Sequence, residues 1–309
     1  MPTATSRPDP GGGIPKISKP VEPVRSGSLR DGFALFKLQN SALELVMAPG
    51  LGAKIISLRN LRTGREWMWQ PAAGLKLFPS RLGEDFSRGA LGGWDECLPT
   101  IAACSWQGRA LPDHGEVWTV AWEFDLEAWK QGRLKTSVRL PVSPFQFTRA
   151  IELRGNVVAV HYVLGNLSAA PQAFLWAAHP LLALHDGDRL ELTDETRRLL
   201  DGDGWIETLN LADRSPACAK LYAGPLREGR AAVVNSHTGD RLTFEWDIAG
   251  GDTLGLWLTR GGWNGHHHLA LEPATGAPDS LATANESKRC AVIAPGVTKH
   301  WDLQLRIEP

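Results

Sequence analysis

The sequence predicts an all-β protein, a large antiparallel β-sandwich, on three observations. Short apolar segments recur at intervals of about ten residues and are separated by turn residues. Glycine and proline are abundant, at 32 and 21 of 309 residues, and both weaken or interrupt helices. Long apolar patterns with a helical period are rare, and no repeat of fixed length is visible, which disfavours a propeller.

Composition excludes several classes of protein. Hydrophobic residues make up 43% of the chain and charged residues 22%, which excludes a wholly disordered protein. No apolar run approaches the roughly 18 residues of a membrane span. A formal net charge of −1 excludes a general nucleic-acid binder. The four cysteines show no C-x-x-C spacing and no signal-peptide pattern is present, so we expect a reduced, cytoplasmic protein.

The first 27 residues are predicted to be an extension outside the folded body. They contain six prolines and a run of three glycines, which exclude a helix or a central strand and favour extended chain. No change of composition interrupts residues 28–309. We therefore predict one large β domain over that range.

Strands of the first half are predicted where apolar and β-branched residues lie between turn residues. They are residues 34–39, 42–47, 53–60, 66–70, 117–124, 133–140, 145–153 and 157–166. The turn Arg62-Thr63-Gly64 closes the third of them. The last alternates only partly between apolar and polar residues, so we expect it to be buried on both faces.

The second half repeats the same rhythm of short strands and turns. Its predicted strands are residues 173–178, 189–192, 231–235, 242–246, 253–258, 269–272, 288–293 and 299–307. A helical turn is predicted within residues 193–200, which carry polar and charged residues. The two halves together predict a wide sheet structure with many strands.

Two segments that follow one another combine glycines, tryptophans, carboxylates and a histidine. Residues 92–100 and 112–118 belong to this group, and glycine permits close approach of a ligand to the backbone. If the second segment is a strand, His114, Glu116 and Trp118 project from one face. The alternative interpretation is a polar loop that enters an ordinary strand.

Two further segments place a titratable side chain in apolar surroundings. His179 is either a core histidine bonded to a backbone carbonyl or a proton donor in a pocket of low polarity. A period of two puts His266, His268 and Glu272 on one strand face. Desolvation would raise the pKa of Glu272 and suit it to act as a base. The alternative is a glutamate at a strand end that pairs with a cation.

Three motifs in order resemble those of aldose 1-epimerases of the galactose mutarotase-like superfamily. They are an HG turn at His114, an HPxxxL strand at residues 179–184 and an LEPxxGAPD-like strand at residues 271–279. The resemblance covers residues 28–309. One departure is that the common HPYFNL pattern reads His-Pro-Leu-Leu-Ala-Leu here, so substrate preference is not carried over.

The resemblance implies a supersandwich with a cleft on a concave face, and it implies a mechanism. A mutarotase interconverts the α and β anomers of a free sugar by opening the ring. By the match, Glu272 is the base at the anomeric hydroxyl and His179 is the acid at the ring oxygen. His114 would bond near either oxygen. Glu272 would start ionised and His179 protonated. The reaction needs no metal and no cofactor, and the partner is a small sugar.

A sugar pocket also needs an aromatic platform and polar groups for the hydroxyls. The chain holds 13 tryptophans, and those near the motifs are the candidate platforms. Arg88 binds an anionic group on the sugar or pairs with a neighbouring aspartate. The predicted substrate-binding residues are Trp94, Asp95, Glu116, Trp118, Trp263, Asn264 and Arg88.

Three alternatives remain open from the sequence. One is a non-catalytic carbohydrate-binding or sugar-sensing protein on the same fold. Another is a cupin-type metal enzyme, because His266, His268 and Glu272 have ligand spacing. A third is a glycosidase that uses Asp95 and Glu116. The sequence leaves the oligomeric state open.

Overall fold

A computed structural model describes residues 24–200, 211 and 216–309. Strands make up 49% of it and helices 8%, so the predicted all-β class is confirmed. The predicted extension lies outside the described residues up to position 23, as does Trp205. Among the described residues, no helix has the length and apolar character that crossing a membrane requires.

The larger sheet has nine antiparallel strands in the described part of the chain. Numbered along the chain and given in spatial order, they are β1 (Val24–Arg30), β2 (Phe33–Gln39), β3 (Leu43–Ala48), β4 (Lys54–Asn60), β5 (Trp94–Cys97), β13 (Ala177–Ala183), β19 (His267–Ala274), β18 (Thr253–Arg260) and β15 (Cys218–Ala223). The centre of this sheet therefore joins strands that lie far apart in sequence.

The second sheet has eight antiparallel strands within the same described ranges. In spatial order they are β14 (Asp188–Leu192), β16 (Gly229–Asn235), β17 (Arg241–Trp246), β21 (Thr298–Glu308), β11 (Val157–Asn166), β10 (Phe145–Arg154), β9 (Arg133–Arg139) and β8 (Glu123–Phe124). Two strand pairs, three short α-helices and one 3-10 helix complete the described elements. They are β6 (Cys104–Trp106) with β7 (Arg109–Leu111), β12 (Gln172–Phe174) with β20 (Ala291–Ile293), α1 (Leu126–Lys130), α2 (Asp194–Leu200), α3 (Leu281–Glu286) and the 3-10 helix Phe86–Arg88.

The facing sides of the two sheets form one apolar core. Side chains alternate along β10 and β11, so that every second residue is buried. A charged cluster lies inside this core: Arg149 Nη1 donates to Glu96 Oε1 at 2.8 Å, and Tyr162 Oη donates to the same oxygen at 3.0 Å. Trp176 Nε1 donates to Glu96 Oε2 at 2.9 Å. Burial raises the pKa of Glu96, and Arg149 balances its charge.

Several predicted elements differ from the observed ones. Residues 117–122 form turns rather than a strand, because their backbone bonds go to the loop at 49–52: Gly52 N donates to Val120 O and Trp122 N to Pro49 O. Residues 66–70 form only isolated bridges. The strand at 157–166 is buried on one face and not on both. The helical turn at 193–200 is confirmed as α2.

The first strand lies partly inside the predicted extension. β1 begins at Val24, because residues 24–30 pair with β2 from Val24 opposite Gln39 to Arg30 opposite Phe33. Pairing with a neighbouring strand, which the composition of the extension does not reveal, supplies the backbone hydrogen bonds.

Candidate active site

Three adjacent strands of the larger sheet bring the predicted acid and base together. His179 on β13 pairs with Asp95 on β5. Glu272 on β19 lies opposite His179, because the flanking registered pairs join residues 177 to 274 and 181 to 270. Directly opposed residues share a face, so all three side chains project from the same side. Glu96 follows Asp95 and points the other way, into the core. The row is therefore on the outer face of the sheet.

A cavity of about 360 Å³ lies against this row. The strands contribute His179 and Glu272, and Lys220 on β15 joins them. The loop between β7 and β8 contributes His114, and the segment between β4 and β5 contributes Phe86. The structure thus gathers all three predicted catalytic residues around one cavity.

One carboxylate oxygen of Glu272 accepts a hydrogen bond, and the other has no partner among the described residues. Lys220 Nζ donates to Oε2 at 2.5 Å, whereas Oε1 is buried without a hydrogen-bond partner among the described residues. His179 Nε2 lies 3.7 Å from that oxygen. Gly255 faces Glu272 from β18, and a Cβ atom there would lie 2.9 Å from Oε2. Burial raises the pKa of Glu272, and Lys220 opposes that effect.

Lys220 is a site residue that the sequence analysis missed. Its ammonium also lies 3.7 Å from Asp279 Oδ1. Burial alone would lower the pKa of Lys220, but Glu272 and Asp279 hold it above its ordinary value. Lys220 therefore stays charged and fixes one edge of the candidate base. Asp279 belongs to the LEPxxGAPD-like motif, so the sequence could have identified it as a site residue. Lys220 lies on β15, which contains no recognisable motif.

His179 is neutral in the free site, which differs from the protonated state that the sequence analysis expected. Burial lowers its pKa well below the ordinary value, and His114 and Lys220 lower it further. A charged imidazole in an enclosed site has lost the water that stabilises it. Its Nδ1 is buried and has no hydrogen-bond partner in the described part of the chain.

His114 is held at the cavity by its loop. Its backbone is left-handed, with φ of 56°, and its N–H donates to Ile101 O at 2.6 Å. The ring stacks on Phe86 at 4.0 Å between centroids and meets His179 edge-on at 4.9 Å. Asp113 Oδ1 lies 3.0 Å from His114 Nδ1. Burial raises the pKa of Asp113, but the contacts with His114 lower it by more. The pKa therefore lies below its ordinary value, and Asp113 is ionised.

An aromatic wall closes another side of the cavity. Trp257 and Trp263 line it with their rings nearly perpendicular at 6.0 Å between centroids. Trp257 Nε1 donates to His268 Nε2 at 3.3 Å. Burial lowers the pKa of His268 to about 3, and the nearby His266 and His267 contribute to this shift. His268 is therefore a neutral acceptor within an aromatic cluster.

The metal triad of the cupin alternative is not assembled. The rings of His266 and His268 are 6.2 Å apart and both contact Trp69. Glu272, the third member, binds Lys220 instead. The two sheets of nine and eight strands in the described part of the chain also exceed the roughly eight-stranded double-sheet jelly roll that this alternative requires.

Most of the predicted substrate-binding residues lie away from the cavity. Trp94 is fully buried in the core between the sheets, and Asp95 pairs with the buried Lys54. Glu116 is buried and accepts hydrogen bonds from Ser143 Oγ at 2.6 Å and Val142 N at 2.7 Å. These residues support the fold, and neither carboxylate of the glycosidase pair, Asp95 and Glu116, lines the cavity.

The remaining four predicted residues divide between support, surface and cavity. Trp118 Nε1 donates to Asp113 O at 3.0 Å, and its ring backs Phe86. Arg88 and Asn264 are exposed and do not line the cavity. Trp263 does line it. Proximity in sequence to a motif therefore identified one sugar-stacking candidate and one supporting tryptophan. The missed cavity residues include Asp85, Phe86, Asp113, Lys220, Trp257 and Asp279.

Comparison with known proteins gives the fold a name. No protein-family model matches the chain, and no curated protein matches it. Solved structures do match. Slr1438 from Synechocystis is 19% identical with a TM-score of 0.67, over 96% of this chain and 99% of that one. A proposed aldose 1-epimerase from Klebsiella pneumoniae is 16% identical with a TM-score of 0.70, over 89% of this chain and 79% of that one.

A galactose mutarotase-like protein from Clostridium acetobutylicum is 15% identical, with a TM-score of 0.67, over 93% of this chain and 99% of that one. At sequence identities this low, the structural matches establish the arrangement of strands only. The chemistry has to be inferred from the site itself. The predicted supersandwich is confirmed, and the chain has the galactose mutarotase-like fold.

Proposed function

We propose that the protein is a mutarotase that interconverts the α and β anomers of a free sugar. The observation that carries the proposal is the pair of opposed atoms at the cavity: Glu272 Oε1 and His179 Nε2 are 3.7 Å apart. This gap is too long for a strong direct hydrogen bond. Each atom is therefore available to a substrate hydroxyl or ring oxygen.

The base is Glu272. Its Oε1 takes the proton from the anomeric hydroxyl while Lys220 holds Oε2 in place. Burial raises the pKa of the carboxyl, which brings its proton affinity closer to neutrality and makes it a better base than an exposed glutamate. The positive charge of Lys220 keeps it ionised.

The acid is the pair of neighbouring histidines. Their rings meet edge-on at 4.9 Å, and the ionised Asp113 beside His114 Nδ1 stabilises positive charge on that ring. With the sugar bound, a proton that the histidine pair takes up from water passes from His179 Nε2 to the ring oxygen. The C1–O5 bond then breaks, the C1–C2 bond rotates, and the reverse transfers close the ring on the other face.

The aromatic wall supports binding of a sugar. Trp257 and Trp263 offer flat surfaces at the cavity, which suit the apolar face of a pyranose. The four cysteines form no disulfide, which supports the cytoplasm as the compartment in which the protein acts.

The test follows freshly dissolved α-D-glucose and α-D-galactose by polarimetry and proton NMR, together with phosphorylated and acidic sugars. Wild-type protein is expected to accelerate approach to the anomeric equilibrium of at least one. Glu272→Gln is expected to lose the acceleration, and Glu286→Gln, which changes an exposed residue, is the matched control. Sugar binding without acceleration would support a carbohydrate sensor and refute the enzyme.

A further inference from the structure

Cys97 lies beneath the two candidate catalytic histidines. Its Sγ and one ring nitrogen each of His114 and His179 are all within 4.8 Å of one another. The strand period places Cys97 on the same face of β5 as Asp95, and it pairs with Ala177. The mutarotase mechanism uses both histidines and leaves the thiol without a role.

The three atoms are spaced for one metal ion. If no two are more than 4.8 Å apart, a point exists that lies no farther than about 2.8 Å from each, which is 4.8 Å divided by √3. Zinc bonds to sulfur and imidazole nitrogen are about 2.0–2.3 Å long. Inward shifts of roughly half an ångström to one ångström would complete the coordination, and His114 stands on a loop.

The nitrogens have the surroundings that metal ligands require. His179 Nδ1 is buried without a hydrogen-bond partner in the described part of the chain. Asp113 Oδ1 lies 3.0 Å from His114 Nδ1, although that nitrogen has no hydrogen-bond partner among the described residues, so an ion bound through Nε2 would leave Nδ1 next to the carboxylate. A carboxylate on the far nitrogen of a ligating histidine is the usual support of a metal site.

We infer that Cys97, His114 and His179 form a binding site for a thiophilic metal ion of the zinc class. One thiolate and two imidazoles suit zinc and disfavour magnesium or calcium. His114 and His179 also line the cavity, from which water can supply a fourth ligand. The carboxylates of Asp113 and Asp279 add negative charge nearby, while the ammonium of Lys220 is compensated by Glu272.

Occupancy of this site has a consequence that rests on the proposed function. A metal bound to both histidines removes them from proton transfer, so zinc is an inhibitor of anomer exchange rather than a cofactor. Binding requires loss of the Cys97 proton, which the metal displaces as it forms the metal–sulfur bond.

The binding test uses cobalt, which reports its ligands by colour. Titration of the reduced full-length protein with Co²⁺ is expected to give a thiolate-to-cobalt charge-transfer band and the visible bands of tetrahedral cobalt, both removed by Zn²⁺. Cys97→Ala is expected to lose the charge-transfer band and at least tenfold in affinity. Cys218→Ala, at an exposed cysteine, is the control and keeps both.

Two loop variants keep the test informative if Cys97→Ala fails to fold. His114→Asn removes a ligand while retaining a residue that tolerates the left-handed backbone, and is expected to abolish the tetrahedral bands. Asp113→Asn is expected to weaken cobalt binding by about 10–100-fold. A spectrum without a thiolate band, or one that Cys97→Ala leaves unchanged, refutes the site. Cobalt bound by histidines alone would give a spectrum without the thiolate band.

The metal site and the mutarotase activity fail separately. Zinc binding through Cys97 in a protein without anomer exchange refutes only the proposed function. Anomer exchange in a protein that gives no thiolate–cobalt signal refutes only the metal site. Where both are present, saturating zinc is expected to slow anomer exchange at least tenfold, and an unchanged rate refutes the inhibitory role.

Discussion

Glu96 on β5 and Glu272 on β19 are both fully buried on strands that flank β13 in one sheet, yet they have opposite environments. Glu96 faces the core, where Arg149, Tyr162 and Trp176 engage both of its oxygens. Glu272 faces the cavity, where Lys220 binds one oxygen and the other has no partner among the described residues. Burial raises the pKa of both carboxyl groups.

The difference shows that burial alone does not make a carboxylate a base. A buried group whose lone pairs are all engaged stabilises one arrangement of its neighbours. A buried group with an unengaged oxygen keeps part of its desolvation cost, which a ligand can relieve. We therefore expect substitutions at the core cluster to change stability and those at the cavity cluster to change rate.

The largest expected effect is that of Glu272→Gln on catalysis. The amide keeps the shape of the side chain but cannot take a proton, so the rate of anomer exchange is expected to fall by about 10²–10⁴-fold. The melting temperature should change little. Polarimetry and calorimetry measure the two quantities, and a variant with substantial residual activity contradicts the assignment of the base.

Arg149→Met is expected to show the opposite pattern. It leaves Glu96 buried without its cation, which costs about 3–5 kcal/mol in the free energy of unfolding. Denaturant titration measures this loss, while the rate per folded molecule should stay near that of the wild type. The double variant Arg149→Met with Glu96→Leu should recover much of the stability. A single variant as stable as the wild type would show that the cluster contributes little.

Lys220→Met tests how the site keeps its base ionised. Burial raises the pKa of Glu272 and Lys220 opposes it, so removal of the ammonium raises that pKa further. The acid limb of the rate–pH profile should move to higher pH, so that the rate at a fixed pH on that limb falls about tenfold for each unit by which the pKa rises. Lys76→Met, at an exposed residue, should leave the profile in place.

An unmoved profile in Lys220→Met, combined with a lower rate at every pH, would assign Lys220 a structural role only. Recovery of activity at higher pH separates that result from the expected one.

The smallest expected effect concerns the aromatic wall. Trp263→Ala is expected to raise KM by up to about tenfold, since an aromatic stacking contact contributes about 0.5–1.5 kcal/mol, and to leave stability nearly unchanged. Trp94→Ala, in the core, should instead destabilise the protein by about 3–5 kcal/mol. Steady-state kinetics and calorimetry distinguish the two tryptophans; equal effects would contradict the division between cavity and core.

The fold was predictable because most strands carry a local signal. β10 and β11 alternate between apolar and polar residues, and such a period needs no knowledge of distant residues. β5 was missed because Asp95 and Glu96 make it look like a polar loop. Both are buried only because Lys54 and Arg149, 41 and 53 residues away, neutralise them. Distance along the chain hides such pairs from a local pattern.

The same limit applies to the candidate site. Glu272, His179 and His114 lie in motifs with local character, so their grouping could be predicted. Lys220 reaches Glu272 across 52 residues from a strand without a motif, so only the sheet order reveals it. Glu116 and Asn264 are close in sequence to motif residues but do not belong to the site. The Glu116 side chain binds the backbone turn at Val142, and Asn264 is exposed to solvent.

β5 presents three consecutive residues to three different environments. Asp95 supports the row on the outer face, Glu96 anchors the core, and Cys97 returns to the outer face next to His114 and His179. Insertion or deletion of a single residue would reverse every one of these orientations. In a library of length variants, the exposed turns between β4 and β5 that lie away from Phe86 should therefore yield active clones, whereas β5 itself should yield none and act as a fixed point in the evolution of this chain.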